Sequence, residues 1–205
     1  MTMARSCADQ EHLLEQARSG DAESRGLLLD RYRNYLNLLA RGMIGGALRV
    51  NLDASDLVQQ TFLEAHRDLP HFQGSGEPEL AAWLRRILIY NLAQQAEYHD
   101  RQKRGRKRRV SLDDLLERSS QFVDRAHAQP IATPSEHAVR REQAVLLADA
   151  LARLPEDQRT ALELHHLQGL SVPEVSREMG RSVLSVTGLI YRAMKALREL
   201  LISTA

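Results

Sequence analysis

The sequence of 205 residues holds one cysteine, Cys7. This excludes an intramolecular disulfide framework and any paired-cysteine metal or redox motif. Aromatic residues make up only 4%, and glycine and proline number 11 and 6. So little aromatic and turn-forming material disfavours an all-β sandwich or barrel. No apolar run approaches the roughly 18 residues needed to span a bilayer. The N-terminal stretch lacks a hydrophobic signal core. A cytoplasmic chain with no membrane partner is expected. A phosphate-binding glycine loop, a zinc-ligand spacing and a nucleophile motif are also missing. His165 and His166 are adjacent, so on a helix they diverge and do not readily share a metal. His66 and His71 straddle Pro70 without a carboxylate partner pattern. No enzyme activity, catalytic residue, metal or cofactor is therefore expected.

Hydrophobic residues make up 43% of the chain and charged residues 27%, enough for a buried core. Leu, Ala, Glu, Gln and Arg dominate, which favours helices. The net charge of +1 conceals a pattern. Residues 1–100 carry a net −4, residues 101–135 a net +5, residues 136–175 a net −3 and residues 176–205 a net +3. Such segregation suits a polyanion meeting selected parts of the chain and a different partner meeting the acidic part.

Apolar spacing predicts a first helix over 10–18 and a longer one from about Ala22 through Leu28, Leu29, Tyr32, Leu36, Leu39 and Met43. Asp53 caps the next, with Leu52 and Leu57 as a hydrophobic staple and Val58, Phe62, Ala65 and Leu69 as its seam. A Gly-containing loop, HFQGSGEP (71–78), leads to a helix over about 79–99 whose buried side is Leu80, Trp83, Leu84, Ile87, Leu88 and Leu92. Trp83 reads as core, since a lone Trp on an apolar seam is more often packed than a stacking platform. Then comes RQKRGRKRR (101–109), in which seven of nine residues are basic. Between Val110 and Ser135 the pattern weakens, and Pro130 and Pro134 interrupt it. A short helix at about 112–117 within a flexible linker is expected. Periodicity resumes in the C-terminal segment. Pro155 opens a helix there, Ser171 and Glu174 form a capping box, Gly180 turns, and Ser182 caps the final helix. Its seam is read as Val183, Val186, Ile190, Ala193, Leu197 and Leu200.

A capped short helix, a Gly turn and a longer basic amphipathic helix form the layout of a helix-turn-helix. The outward residues of the second helix are Ser185, Thr187, Gly188, Tyr191, Arg192, Lys195 and Arg198. Hydroxyls and cations of this kind contact phosphates and base edges. A structural hairpin with a solvated charged face is the plainer reading. The step from −3 to +3 on entering this helix favours DNA.

Three stretches together, in this order, resemble the bacterial sigma-70 family in its short extracytoplasmic-function (ECF) form. They are DASDLVQQTFLEAHRDL (53–69), AAWLRRILIYNLA (81–93) with the basic run behind it, and LARLPEDQRTALELHHLQGLSVPEVSREMG (151–180). The resemblance covers about 10–109 and 139–201. It implies binding to core RNA polymerase, through the β′ clamp helices and the β subunit, and recognition of promoter −10 and −35 elements. An anti-sigma protein is a further candidate partner. The resemblance places Asp56, Gln59, Gln60 and His66 against polymerase, with Gln60 where the family usually has Glu. It places Phe72, Gln73, Asn91, Gln94, Arg106, Lys107, Arg108 and Arg109 near −10 DNA, with Asn91 and Gln94 on the exposed side of their helix. It places Arg181, Ser185, Thr187, Tyr191, Arg192 and Lys195 near −35 DNA. Family members often carry Lys, Ser and Arg where this chain has Thr187, Gly188 and Leu189.

The expected fold is all-α: two helical domains, 10–109 and 139–205, joined by a linker over 110–138, the C-terminal domain a helix-turn-helix. A helix-turn-helix regulator that binds duplex DNA without polymerase is the main rival. A structural adaptor is the second.

Overall fold

The computed structural model describes residues 12–44, 52–74, 76–102, 111–125 and 134–204. Among these residues the secondary structure is helical, with no strand. Helix α1 covers 12–19. It is followed by α2 (Ala22–Arg31), α3 (Arg33–Met43) and α4 (Ala54–Asp68), the last ending in a 3₁₀ turn at Leu69–His71. Next come α5 (Glu77–Gln102), α6 (Leu112–Arg125) and α7 (Pro134–Ala152). Then α8 (Glu156–Leu162) widens into a π turn over Glu163–Leu167, and α9 (Val172–Met179) and α10 (Val183–Thr204) complete the chain.

Local signals fix several of these boundaries. Asp21 caps α2 by accepting the Ser24 N–H at 2.8 Å. Asp53 caps α4 by accepting the Ser55 N–H at 2.8 Å. Ser171 and Glu174 form the expected capping box of α9, the Ser171 N–H donating to Glu174 Oε2 at 2.8 Å. Gly180 ends α9 in the left-handed region at φ 61°, which a side chain would strain.

Two expectations are corrected. The single helix from Ala22 is divided at Tyr32, whose φ of −93° and ψ of 1° leave the helical range while its ring stays buried. The linker is far more helical than its sequence pattern suggests. Helix α6 runs to Arg125 rather than stopping near 117, because Leu115 and Ser119 are both buried. Pro134 opens α7 instead of interrupting the chain, since its fixed φ suits a first helical turn.

The main core joins Leu36 and Leu39 of α3, Leu57 of α4, and Leu84, Leu88, Ile89 and Leu92 of α5. Helix α7 lays Ala144, Ala148 and Leu151 on the same cluster, which reaches Ala193 and Leu197 of α10. A second, small core of Ala161, Leu164, Val175, Val186 and Leu189 holds α8, α9 and the first half of α10 together. Polar contacts bind the N- and C-terminal helices as well. Arg41 grips Glu163 through both carboxylate oxygens, at 3.1 and 3.0 Å, a fork geometry that strengthens a charge-assisted bond. Asn34 Nδ2 donates to Asp149 Oδ1 at 2.9 Å. No helix among the described residues is long and apolar enough to cross a membrane.

Candidate nucleic-acid and partner interfaces

Helix α4 buries Leu57, Val58, Thr61 and Ala65. The helical repeat then turns Asp56, Gln59, Gln60 and His66 outward, and all four are exposed. Gln60 Nε2 donates to Glu64 Oε1 at 2.8 Å, so its amide is tied to its own helix. The Ser55 hydroxyl and N–H beside Asp53 hold that carboxyl below its ordinary value. Leu63 lies in the middle of this stripe, 69% exposed. Sequence reading missed it, although its place three residues after Gln60 and four after Gln59 is a usable signal.

The loop after α4 is held by its own packing. Phe72 is half-buried, with its ring 5.1 Å from that of Trp83 and the Arg18 guanidinium 5.1 Å from its centre. Arg18 also donates to the Gly74 carbonyl. The Phe72 ring fills the space that a side chain at Gly74 would need. Trp83 packs against the main core, as its spacing predicts. Gln73 stands exposed beside Phe72, and Gln94 and Tyr98 are exposed along α5.

Asn91 is corrected. It is only 3% exposed and points inward, its Nδ2 donating to Thr61 Oγ1 at 3.4 Å. Thr61 in turn donates to the Leu57 carbonyl at 2.8 Å. Asn91 thus joins α5 to α4 beneath the surface, and Gln94 one turn on takes the outer face. Arg106, Lys107, Arg108 and Arg109 lie outside the described residues.

At the C-terminal end the Ser182 hydroxyl accepts the Ser185 N–H at 3.2 Å, starting α10. Val183 is 49% exposed, so the buried seam begins at Val186 rather than at Val183. Leu189 is 7% exposed and belongs to the small core, which explains an apolar residue where family members often carry a cation. Ser185 is half-buried, while Thr187, Tyr191, Arg192 and Lys195 are exposed. Thr187 Oγ1 donates back to the Val183 carbonyl at 3.0 Å. Arg181 pairs with Asp157 at 2.6 Å on an exposed surface. Between Arg181 and Glu199 the cations Arg192, Lys195 and Arg198 occur with no intervening carboxylate.

Asp56 and Arg181 line one cleft of about 890 Å³, together with Asp53, Glu156, Asp157 and Glu163. The loop residues Phe72 and Gln73 and the outer face of α10 do not enter it.

Residues 28–104 match the family Sigma-70 region 2, and residues 144–197 match Sigma-70, region 4. An ECF RNA polymerase sigma-E factor of Haemophilus influenzae is 31% identical over 96% of this chain and 97% of its own length. The RNA polymerase sigma-H factor of Pseudomonas aeruginosa is 29% identical over 93% of each. The chain belongs to the ECF group of sigma-70 factors. This sigma factor therefore binds core RNA polymerase and directs promoter-specific initiation of transcription, in preference to the polymerase-independent regulator. Among solved structures, CnrH in complex with the cytosolic domain of CnrY is 24% identical, covering 96% of this chain and 99% of that one at a TM-score of 0.35. The RsbN–BldN complex is 27% identical, covering 91% and 98% at 0.32.

Proposed function

We propose that this sigma factor divides its work among three surfaces. The outer stripe of α4 (Asp56, Gln59, Gln60 and His66, with Leu63 at its centre) docks on the β′ clamp helices of core polymerase. Gln73 and Gln94, with Phe72 supporting the loop, lie at the captured −10 base, and Asn91 positions α5 from below. The basic residues Arg106 to Arg109 hold the adjoining backbone, releasing counterions without reading sequence. The outer face of α10, through Ser185, Thr187, Tyr191, Arg192 and Lys195 with Arg181 at its head, meets −35 DNA, and the C-terminal region also meets the β subunit. The working units are 10–109 and 139–205, connected through 110–138. The chain acts by binding, with no catalytic group, metal or cofactor of its own, in the cytoplasm where polymerase works. An anti-sigma protein is proposed as a regulatory partner.

One observation supports the docking face above the others: Asp56, Gln59, Gln60 and His66 of α4 are all exposed, while Leu57, Val58, Thr61 and Ala65 are buried. Reversing a charge and removing interface hydrogen bonds commonly costs about 2–5 kcal/mol of binding. Asp56→Arg combined with Gln59→Ala should weaken a core-polymerase titration by that amount, and the far-ultraviolet dichroism should stay unchanged. A folded double variant with full affinity would refute this face.

A further inference from the structure

Leu184 is 84% exposed at the second position of α10. Its neighbour Val183 is also substantially exposed. In this position neither side chain contributes to the small core, whose α10 members are Val186 and Leu189. A bare leucine costs nothing dramatic by itself, but here its place is informative. In a helix-turn-helix the first residues of the second helix are those that reach base edges in the major groove. One turn farther on, at i+3, i+4 and i+7 from Leu184, stand Thr187, Gly188 and Tyr191. They share its face.

Gly188 forms a notch in that face. A methyl group added there would come within 3.3 Å of Arg192 Nη1, because the guanidinium lies back over the glycine. The face thus presents an apolar knob at its leading end, a depression one turn behind, and cations flanking it. No carboxylate occurs on it before Glu199. In the major groove only thymine offers an apolar group, its C5 methyl, and aliphatic side chains contact it. A hydroxyl or cation at this position would seek an acceptor, whereas a leucine has none to seek.

We infer that Leu184 is a specificity-determining residue that packs against a thymine methyl in the −35 element. This rests on the reading of α10 as the −35 helix and extends it to a base type. Leu184 selects for thymine by taking its methyl out of water. Arg192, drawn back over Gly188, leaves the groove floor open to the leucine and reaches a phosphate.

The test uses holoenzyme and a −35 duplex that it selects from a randomised pool. Each thymine of either strand is replaced in turn by uracil, which removes only the methyl. One methyl buried from water corresponds to about a fourfold change in affinity. The native holoenzyme should lose about that factor at one or two thymines. The Leu184→Ala holoenzyme should bind the thymine and uracil duplexes equally at those same positions. Equal uracil sensitivity in both proteins, or none in either, overturns the inference. It is also overturned if Leu184→Ala weakens assembly with core polymerase in the absence of DNA, since the leucine would then serve a protein contact. Arg192→Ala and Lys195→Ala act as controls. If they weaken −35 binding while the uracil scan is flat, α10 is still the −35 helix and only the role of Leu184 fails. If they change nothing, the helix assignment itself fails.

Discussion

Helices α4 and α10 each bury one stripe and leave another bare, but the bare stripes differ in chemistry and in what supports them. On α4 the bare stripe is close to neutral, with Asp56, two glutamines and His66 around Leu63, and Arg67 paired with Asp68. On α10 it is basic, with Arg192, Lys195 and Arg198 behind an apolar tip. The first suits a helix-on-helix contact with a protein. The second suits a polyanion. Support differs too. Helix α4 rests on the large cluster shared by α3, α5 and α7, whereas the leading half of α10 shares a core of five buried residues, two of them its own. A surface held by a small core opens more easily than one held by a large core. The leading half of α10 is therefore the softer of the two surfaces.

Equivalent truncations in the two cores give the largest expected contrast. Leu84 and Leu164 are both buried, one in each core. Each change to Ala should cost about 2–5 kcal/mol. Leu84→Ala should lower the global melting transition. Leu164→Ala should instead expose the amides of α9 and the start of α10 to hydrogen exchange, while α4 keeps its protection. Equal loss of protection in α4 and α10 for both variants would show that the two cores unfold as one unit.

The charged stripe sharpens the contrast at the level of ligand. Each phosphate contact removed should reduce the salt slope of binding by about one. Arg192→Ala with Lys195→Ala should therefore flatten the slope of −35 duplex binding by about two, and leave the core-polymerase titration unchanged. An unchanged slope would remove these cations from the DNA face.

Local chemistry was the part of the fold most legible in the sequence. The Asp53 cap, the Ser171–Glu174 box and the Gly180 turn each need only a few neighbouring residues, and each forms as expected. Contacts between distant residues were not legible. The Arg41–Glu163 pair joins positions 122 residues apart, and no spacing rule points to it. Helix α6 is longer than its sequence pattern announces, because Ser119 is buried by tertiary packing. Asn91 is a different case. It lies seven residues after Leu84 and three after Leu88, on the buried stripe, and its polar character hid a position that the period had already given. Val183 is the opposite case, an apolar residue left 49% exposed. The 3-4 spacing runs back to it, but a seam is buried only where another element covers it.

Gly188 separates the stability of α10 from its use. A helical Gly costs about 1 kcal/mol relative to Ala. The added methyl would meet only the far end of the flexible Arg192 side chain, at 3.3 Å from Nη1, which can give way. Gly188→Ala should therefore raise stability by up to about 1 kcal/mol in thermal unfolding. The displaced guanidinium should at the same time alter −35 affinity. A loss of stability would mean that Arg192 is fixed in place and that the notch is structural.

The smallest expected effect is a pH dependence at His166, in the C-terminal region. Partial desolvation of a ring that is still largely exposed, aided by the neighbouring His165, pushes the His166 imidazole below its ordinary value of 6.5. The unfolded chain then binds more protons than the native one as pH falls through 6.5, so native stability declines with acidification. The decline ends once pH passes the depressed native value, where both states are protonated. Asp21, Asp53 and Glu174 do not interfere. Their serine partners lower carboxyl groups whose ordinary values are 3.8, 3.8 and 4.5, so the stability they add is lost only in stronger acid. Melting curves at about pH 7.5 and about pH 5.5 should thus show a small loss in the native protein. His166→Gln, which cannot titrate, should reduce that loss. If the loss is unchanged in the variant, another histidine controls it, and the softer region is not softened by this residue.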